Sequence, residues 1–199
     1  FTTRRVVAIQ KGTPIFSMGA SFQSVQEGME HQISMPNVPM PENLVSDEKL
    51  AEVFKDAAPE IYRSLTFPRP LEFRPVEKLN PLSGKGYPPF RHVWIKAKGA
   101  LPDDIRLHQT ILAYASDYNL LTTATLPHWE QVKPNELFLA SLDHAMWFHR
   151  TFRIDEWLLY ALDSPSASNA RGFTRGNVFT QDGQLVASVV QEGLIRKRD

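Results

Sequence analysis

The sequence lacks cysteine entirely, and this absence excludes disulfide bonds, thiol nucleophiles and metal sites built from thiolates. A chain without cysteine suits a reducing compartment, so a location in the cytoplasm or an organelle matrix is expected. Long apolar runs are missing as well, and no membrane partner is predicted. The 22 Lys and Arg residues balance the 22 Asp and Glu residues. Because there is no net charge, the sequence does not indicate a nucleic-acid partner either.

Several common catalytic motifs are also absent. The chain contains no G-x-S-x-G elbow, no P-loop, no G-x-G-x-x-G and no H-E-x-x-H. This argues against a serine hydrolase, a nucleotide-binding fold and a zinc site of the usual kinds. His144 and His149 lie five positions apart on one predicted strand, so their side chains point to opposite faces and cannot hold a metal together. Each is interpreted as a histidine of the core or its rim.

The aromatic and basic residues do not form a pattern typical of nucleic-acid binding. The four tryptophans are assigned to the core, because no basic stripe accompanies them. Four arginines beside predicted strands are interpreted as part of a solvated face, with phosphate binding as the alternative. They are Arg150, Arg153, Arg171 and Arg175.

Two similar hairpins are predicted, one near each end of the sequence. Aligned on their turns, Lys11-Gly12 and Asp182-Gly183, they share identical residues at six positions. This match fits either convergent turn chemistry or a duplicated domain. An isolated hairpin is marginally stable, so the first is expected to extend a sheet of the rest of the molecule or of a neighbour. The predicted hairpin strands are Thr3–Gln10, Ile15–Gln23, Gly172–Thr180 and Gln184–Ile195.

The stretch Leu107–Leu121 is predicted to be an enclosed helix. It has an apolar stripe at helical spacing and further apolar residues around most of its circumference. Pro102-Asp103-Asp104 supplies acidic residues that cap its start. Asp117 is the only acid inside it. Because a carboxylate removed from water is costly unless it is paired, Asp117 is expected to have polar partners, either for structure alone or as a catalytic acid or base.

The segment before the helix is predicted to be a connector. Residues 30–35 are expected to be extended, and three prolines between positions 36 and 41 then interrupt any periodicity. A short helix over Asp47–Ala57 follows, capped by Ser46 and stopped by Pro59. Its expected role is to bridge two units.

The remaining strands define the fold class. The chain is predicted to be α+β, with one long helix against an antiparallel sheet. On the strand around Ser141, alternation places Ser141 and Leu142 on opposite faces, and both faces are expected to be largely buried. The additional strands are Leu71–Val76, Arg91–Lys98, Glu136–His149 and Glu156–Ser164.

Long sequence stretches closely resemble the acyl-CoA thioesterase II family, and the likeness covers nearly the whole chain. The segments Phe1–Gln10 and Ala20–Gln23 look like the end of that family's first domain. The other matching stretches are Ser116–Asn119, Ala140–Arg150, Glu156–Tyr160, Ser164–Ser168, Ala170–Gly172 and Ala187–Gly193.

The resemblance implies a double hot-dog fold, in which each unit is an antiparallel sheet wrapped around a long central helix. Residues 1–35 would be the C-terminal strands of a first unit that is only partly present. Residues 36–60 would be a linker with a short helix, and residues 61–199 a second, complete unit. We expect a shortened form of a longer protein, with strand sharing between two copies as the alternative.

The same resemblance implies an enzyme that hydrolyses fatty acyl-CoA to free fatty acid and CoA, without a metal or another cofactor. Matched motif by motif, the family's catalytic set becomes Asp117, Ser141 and Gln191. Asp117 would act as general base on a water molecule that Ser141 and Gln191 help to hold for attack on the thioester carbonyl. Acyl-CoA is the expected partner, and a homo-oligomer is expected.

Two other functions stay open. The first is an enoyl-thioester hydratase of the same fold. The resemblance to such enzymes implies a D-x-x-x-x-H arrangement at the helix, but the position five beyond Asp117 is Thr122. The second alternative is a non-catalytic acyl-CoA-binding module that kept the fold and lost the reaction. A mutation of Asp117 that abolishes turnover but preserves binding would separate a catalyst from such a module.

Overall fold

The computed structural model describes residues 1–198 and divides into two compact units, Phe1–His31 and the chain from Gln32 onward. The first unit is a two-stranded antiparallel hairpin of β1 (Thr2–Gln10) and β2 (Thr13–Phe22). Lys11 and Gly12 form its turn at positive φ, as the sequence predicts. Nearly all its side chains are exposed. The assignment of residues 1–35 to a preceding unit stays a prediction.

The second unit has one antiparallel sheet of seven strands, in the order β3-β4-β7-β8-β9-β5, with β6 also paired to β9. The α+β class is as predicted. Its strands are β3 (Leu71–Pro75), β4 (Phe90–Ala97), β5 (Leu137–Ser141), β6 (Ala145–Phe148), β7 (Leu158–Ser168), β8 (Arg171–Thr180) and β9 (Leu185–Lys197). Its helices are α1 (Asp47–Leu50), α2 (Pro59–Leu65), α3 (Ile105–Ala115) and α4 (Leu120–Thr123).

The main core lies between the sheet and α3. Leu112 and Ala115 of the helix are fully buried there against sheet residues such as Ile95 and Tyr160. A second, smaller apolar cluster covers the opposite face of the sheet around Trp94, onto which residues 35–44 pack. Both faces of the central strands are therefore covered, which explains why apolar residues occur on both faces of these strands.

The long helix predicted over Leu107–Leu121 is shorter in the structure. Asp104 caps α3 as expected, because its carboxylate accepts a hydrogen bond from the Arg106 amide at 3.0 Å. The helix ends at Ala115, and a turn over residues 116–119 separates it from α4. Asn119 closes this turn with φ of 65°, a left-handed conformation that asparagine tolerates better than most residues.

The prediction that this helix is enclosed is wrong. Tyr114 is 54% exposed, and Ala113 and Asp117 are exposed as well. Asp117 therefore lies in the turn after α3 rather than inside a buried helix. Its need for polar partners does not follow from complete burial, although the structure does give it one.

The single strand predicted over Glu136–His149 is broken into β5 and β6. Three residues, 142–144, lie opposite only Gln191 and Glu192 of β9, so this is a β-bulge. The amides of Leu142 and Asp143 both donate to the Glu192 carbonyl, at 3.0 and 3.3 Å. The bulge ends the strict alternation of side chains, and the segment 141–144 is exposed instead of buried.

Two glycines bring the turn and α4 close to the sheet. A Cβ atom at Gly193 would lie 2.4 Å from the Leu121 side chain, and one at Gly172 would lie 2.6 Å from the Ala124 Cβ. A Cβ atom at either position would force these side chains to shift, so glycine allows residues 120–124 to pack closely on β8 and β9. This packing fixes where the turn with Asp117 meets β9.

The connector forms helical segments that pack beside the sheet. The predicted helix over Asp47–Ala57 is shorter in the structure, since α1 continues into a 3-10 turn at Ala51–Phe54. Pro59 begins α2 instead of only ending the first helix, in agreement with the preference of proline for the first helical turn. Residues 30–35 form neither a helix nor a paired strand.

Candidate active site

Gln191 on β9 is the centre of a polar cluster. Its side chain is almost completely buried, at 1% exposure. The amide Nε2 donates to Asp117 Oδ1 at 2.8 Å and to Ser141 Oγ at 3.0 Å. Because an ionised carboxylate can only accept hydrogen bonds, the contact with Asp117 fixes which end of the amide carries the nitrogen.

The structure brings all three residues predicted for the site together. Asp117 comes from the turn after α3, Ser141 is the last residue of β5, and Gln191 lies within β9. Asp117 and Ser141 are 74 and 50 positions away from Gln191 in sequence. Both are exposed, so a ligand can reach them, while the buried Gln191 amide donates a hydrogen bond to each. Their catalytic role stays a prediction.

The hydrogen bonds leave defined groups available. Both N–H groups of the Gln191 amide are engaged, and Ser141 Oγ accepts one of them. The hydroxyl proton of Ser141 is therefore available to donate. Gln191 Oε1 is buried and has no hydrogen-bond partner among residues 1–198. The cluster thus combines a carboxylate, an available hydroxyl donor and an unpartnered buried acceptor.

His144, interpreted from the sequence as a core or rim histidine, belongs to this cluster. Its Nδ1 lies 3.4 Å from Gln191 Nε2, and its Nε2 lies 2.9 Å from Ser116 Oγ. Ser116 donates its only hydroxyl proton to the Ala113 carbonyl at 2.8 Å. It must therefore accept from His144, which places the imidazole proton on Nε2 and leaves Nδ1 as an acceptor.

The surroundings keep this histidine neutral. Partial burial lowers the pKa of the His144 imidazole below its usual value, and the carboxylates of Asp117 and Asp143 only partly offset this effect. The bulge after Ser141 turns His144 towards Gln191, and the alternation rule used for a regular strand cannot foresee that. Its place on the same predicted strand as Ser141 was a weak signal, because a spacing of three residues puts two side chains on opposite faces of a regular strand.

Tyr160 supports the turn from the sheet side. It is fully buried on β7, and its hydroxyl donates to the Ser116 carbonyl at 2.8 Å. Burial, together with the negative charge of Asp117, raises the pKa of Tyr160 well above 10, so the phenol keeps its proton. This hydrogen bond fixes the residue directly before Asp117.

Most of the candidate phosphate-binding arginines form ion pairs. Arg153 pairs with Asp155 at 2.9 Å, Arg171 pairs with Glu192 at 3.2 Å, and Arg175 pairs with Asp163. Arg150 donates to the Leu185 carbonyl at 3.0 Å. The pairs on Arg171 and Arg175 are solvent exposed, as the interpretation of a solvated face expects.

The tryptophans only partly follow the sequence interpretation. Trp94 and Trp157 are buried as expected, whereas Trp147 is 52% exposed. Within residues 1–198, no cluster of three or more histidine or acidic side chains could hold a metal ion. Among the same residues, no helix is long and apolar enough to cross a membrane.

Comparisons with solved structures identify the fold class. An acyl-CoA thioesterase II from Mycobacterium marinum superposes with a TM-score of 0.78 at 45% identity, covering 99% of this chain and 69% of that one. A protein of unknown function from Alicyclobacillus acidocaldarius, described as having a hot dog fold, gives a TM-score of 0.71 at 16% identity. The match covers 99% of this chain and 68% of that protein. The fold is therefore that of the hot-dog proteins, as the resemblance implied.

Comparisons of sequence identify the family. A family model described as acyl-CoA thioesterase matches residues 63–194. Acyl-CoA thioesterase 2 of Haemophilus influenzae is 38% identical over 197 residues, covering 98% of this chain and 69% of that protein. Human acyl-coenzyme A thioesterase 8 is 42% identical over 206 residues, covering 98% of this chain and 64% of that protein. The chain belongs to the acyl-CoA thioesterase family and spans about two thirds of the length of these relatives.

Proposed function

We propose that this chain hydrolyses fatty acyl-CoA to free fatty acid and CoA by direct attack of water. The observation that supports this most is the hydrogen-bonded set of Asp117, Gln191 and Ser141, in which a fully buried amide orients an exposed carboxylate and an exposed hydroxyl. Membership of the acyl-CoA thioesterase family supports the substrate class. The absence of cysteine excludes a thiol nucleophile.

In the proposed reaction, Asp117 takes a proton from a water molecule as the water oxygen attacks the thioester carbonyl carbon. Ser141 donates its available hydroxyl proton towards the water or the developing oxyanion. Collapse of the tetrahedral intermediate breaks the carbon–sulfur bond, and the proton on Asp117 passes to the thiolate of CoA. Asp117 is then an ionised carboxylate again, and the products are a fatty acid and CoA.

His144 has a positioning role in this proposal. Its neutral Nδ1 lies beside Gln191 Nε2, and its Nε2 proton is held by Ser116. Both N–H groups of that amide already bond to Asp117 and Ser141, and the neutral Nδ1 presents a lone pair beside them. A protonated Nδ1 would direct an N–H at these N–H groups and disfavour the present alignment of the amide with Asp117. The protonation of His144 thus links the geometry of the cluster to pH.

The direct test is release of free CoA from acyl-CoA substrates of increasing chain length. The parent is compared with Asp117→Asn, which keeps the size of the side chain but removes the base. We expect the variant to lose about a hundredfold or more in turnover while still binding acyl-CoA. Asp103→Asn is the matched control, since this acid precedes the same helix and is 99% exposed.

Equal activity in the parent and in Asp117→Asn would contradict the assignment of the base. A folded parent that binds acyl-CoA but releases no CoA would favour the non-catalytic module. Loss of activity in Asp103→Asn as well would show that the effect is not specific to the cluster.

One observation favours a second candidate, the enoyl-thioester hydratase. The sequence lacks a histidine five positions after Asp117, but the structure supplies His144 from the bulge next to the same amide. Hydratase chemistry would add water across the double bond of a trans-2-enoyl-CoA without releasing CoA. Incubation with that substrate separates the two functions, because only hydrolysis yields a free thiol.

We further infer that the chain acts as a homo-oligomer in the cytoplasm. The hairpin of residues 1–31 exposes large apolar side chains, including Ile9, Ile15 and Phe16, and two strands alone are marginally stable. Light scattering after gel filtration tests the oligomer, and a monomer at micromolar concentration would refute it. The absence of cysteine supports the compartment, which cell fractionation tests.

A further inference from the structure

A cavity of about 380 Å³ lies between the connector and the β3–β4 edge of the sheet, and Asn119 of the turn after α3 also lines it. The connector helices α1 and α2 form one side, and β3 and β4 form the other. This volume is in the range of sites that bind small molecules. Its wall is mainly apolar and includes Leu50, Phe54, Ile61, Leu65, Phe73 and Val93.

Arg91 on β4 lines this cavity and is nine-tenths buried. Its Nη1 donates to Asn119 Oδ1 at 3.0 Å and its Nη2 donates to the Thr122 carbonyl at 3.3 Å. Its Nε has no hydrogen-bond partner in the described chain. Both partners are neutral, so no carboxylate of residues 1–198 forms an ion pair with this guanidinium.

The other charged groups of the cavity are already paired or lie at its surface. Asp47 forms an ion pair with Arg69, and Glu77 accepts from His92 Nδ1 at 2.7 Å. Lys78 is exposed. Burial lowers the pKa of Arg91 to about 10, and Glu77 acts on it only at longer range. At neutral pH, Arg91 is therefore a buried cation without a direct counter-ion.

We propose that the cavity binds a fatty-acid anion, with the hydrocarbon tail against the apolar wall and the carboxylate on Arg91. The buried guanidinium has an unused N–H donor at Nε. A carboxylate would accept a hydrogen bond from this donor and would also compensate the charge of the guanidinium. The apolar wall would remove the tail from water, which is favourable for every methylene group. The ligand class follows from this combination of one buried cation and an apolar cavity.

This proposal rests on the proposed function, because a fatty acid is the product of the hydrolysis. The cavity lies on β3 and β4, whereas Ser141 and Gln191 of the polar cluster lie on β5 and β9, towards the opposite edge of the sheet. Arg91 holds Asn119, which is in the same turn as Asp117. A fatty acid on Arg91 therefore has a route to act on the turn that carries the candidate base.

The test is equilibrium binding of decanoate by calorimetry, with decanol as a probe that lacks the carboxylate. The chain used carries Asp117→Asn, so that no turnover occurs and the result does not depend on hydrolysis. We expect one saturable site, with decanoate bound about tenfold or more tighter than decanol. Arg91→Gln should reduce decanoate affinity to that of decanol.

Arg91 is buried, so its variant could lose the fold, and a second variant keeps the test decisive. Ile61→Trp fills the cavity from its half-buried wall without touching Arg91, and it should abolish binding of both probes. Val45→Trp, an exposed position of the same connector, and Arg106→Gln, an exposed arginine, are the matched controls and should bind like the parent.

Unchanged decanoate binding in Ile61→Trp would overturn the proposal. Binding that is lost in Ser141→Trp but kept in Ile61→Trp would assign the fatty acid to the polar cluster, which also overturns it. Absence of CoA release from the parent would refute the proposed function alone, because decanoate binding to this cavity is measured without a thioester.

Discussion

Replacement of Gln191 by glutamate tests the geometry of the polar cluster directly. Glutamate has nearly the same shape as glutamine, but it exchanges the amide donor for a second carboxylate. In the parent, the donor lies 2.8 Å from Asp117 Oδ1 and 3.0 Å from Ser141 Oγ, and it is almost fully buried. Gln191→Glu therefore removes two hydrogen bonds and places two negative charges side by side.

The size of the effect follows from Coulomb's law. Two unit charges about 4 Å apart interact with about 4 kcal/mol at the effective dielectric constant of about 20 that applies near a protein surface. Because Asp117 is exposed on its other side, this figure is an upper limit. A repulsion of that size raises the pKa of the carboxylate pair by up to about 3, since 1.36 kcal/mol corresponds to one pH unit.

The repulsion makes the stability of Gln191→Glu, relative to the parent, decrease as the pH rises. The folded variant holds a shared proton more tightly than the unfolded chain, so the penalty is fully present above the raised pKa. It decreases as the pH falls towards the unfolded value of about 4. Relative to the parent, Gln191→Glu should be least stable at neutral pH and should recover in acid.

Urea unfolding between about pH 4 and 8 measures this difference. The double variant Asp117→Asn with Gln191→Glu is the control, because it restores a donor facing an acceptor and removes the repulsion. It should lose the additional pH dependence. If Gln191→Glu and the double variant showed the same pH profile, the hydrogen bond between Gln191 and Asp117 would not exist, and the argument for the cluster would fail.

Three further substitutions test other parts of the structure. Gly176→Ala should lower stability by about 1–3 kcal/mol and lower the melting temperature, since the new Cβ would lie 2.2 Å from the buried Tyr160 ring. Gly28→Ala is the control and should be neutral, because the space around Gly28 is open. His144→Gln should reduce kcat about tenfold and remove an acid limb from the pH–rate profile below the usual imidazole pKa, and an unchanged acid limb would refute the role of His144. Asp155→Asn should lower stability at neutral pH but not near pH 2, because Arg153 lowers the pKa of Asp155 to about 2. The stabilisation by this ion pair is lost as the pH falls from about 4, the carboxyl pKa in the unfolded chain, to about 2, and parallel plots of stability against pH for the two proteins would contradict this.

Much of the sheet follows from the sequence because local patterns determine it. The strand predicted over Leu71–Val76 matches β3 within one residue, and the second hairpin is formed around Asp182-Gly183 as expected. Alternation and turn residues are sufficient there, since these strands are regular and their turns have a favoured chemistry. The glycine turns of both hairpins also have positive φ at Gly12 and Gly183.

Exposure could not be predicted in the same way. Apolar periodicity shows which side chains share a face, but it does not show whether another element covers that face. Tyr114 fits the predicted helix stripe and is nevertheless 54% exposed. The cavity was not predicted for the same reason, since it depends on the connector helices folding onto β3 and β4, and no local pattern specifies this contact.

The candidate site was predictable only through the family resemblance. Residue chemistry alone singled out Asp117, although on the incorrect ground that it was enclosed. Its link to Gln191 joins residues 74 positions apart, and only the sheet order brings β9 under the turn. His144 was missed because the prediction treated Glu136–His149 as one regular strand.

The polar side chains of the cluster share a position in the fold that explains this difference. Asp117 lies directly after the end of α3, Ser141 is the last residue of β5, and His144 lies in the bulge before β6. Only Gln191 belongs to the interior of a regular strand. Where a helix or strand ends, side chains leave the periodic pattern and can converge, whereas within regular elements they remain on fixed faces. Periodicity therefore predicts the regular helices and strands of this molecule, but not the positions at their ends where most polar side chains of the cluster converge.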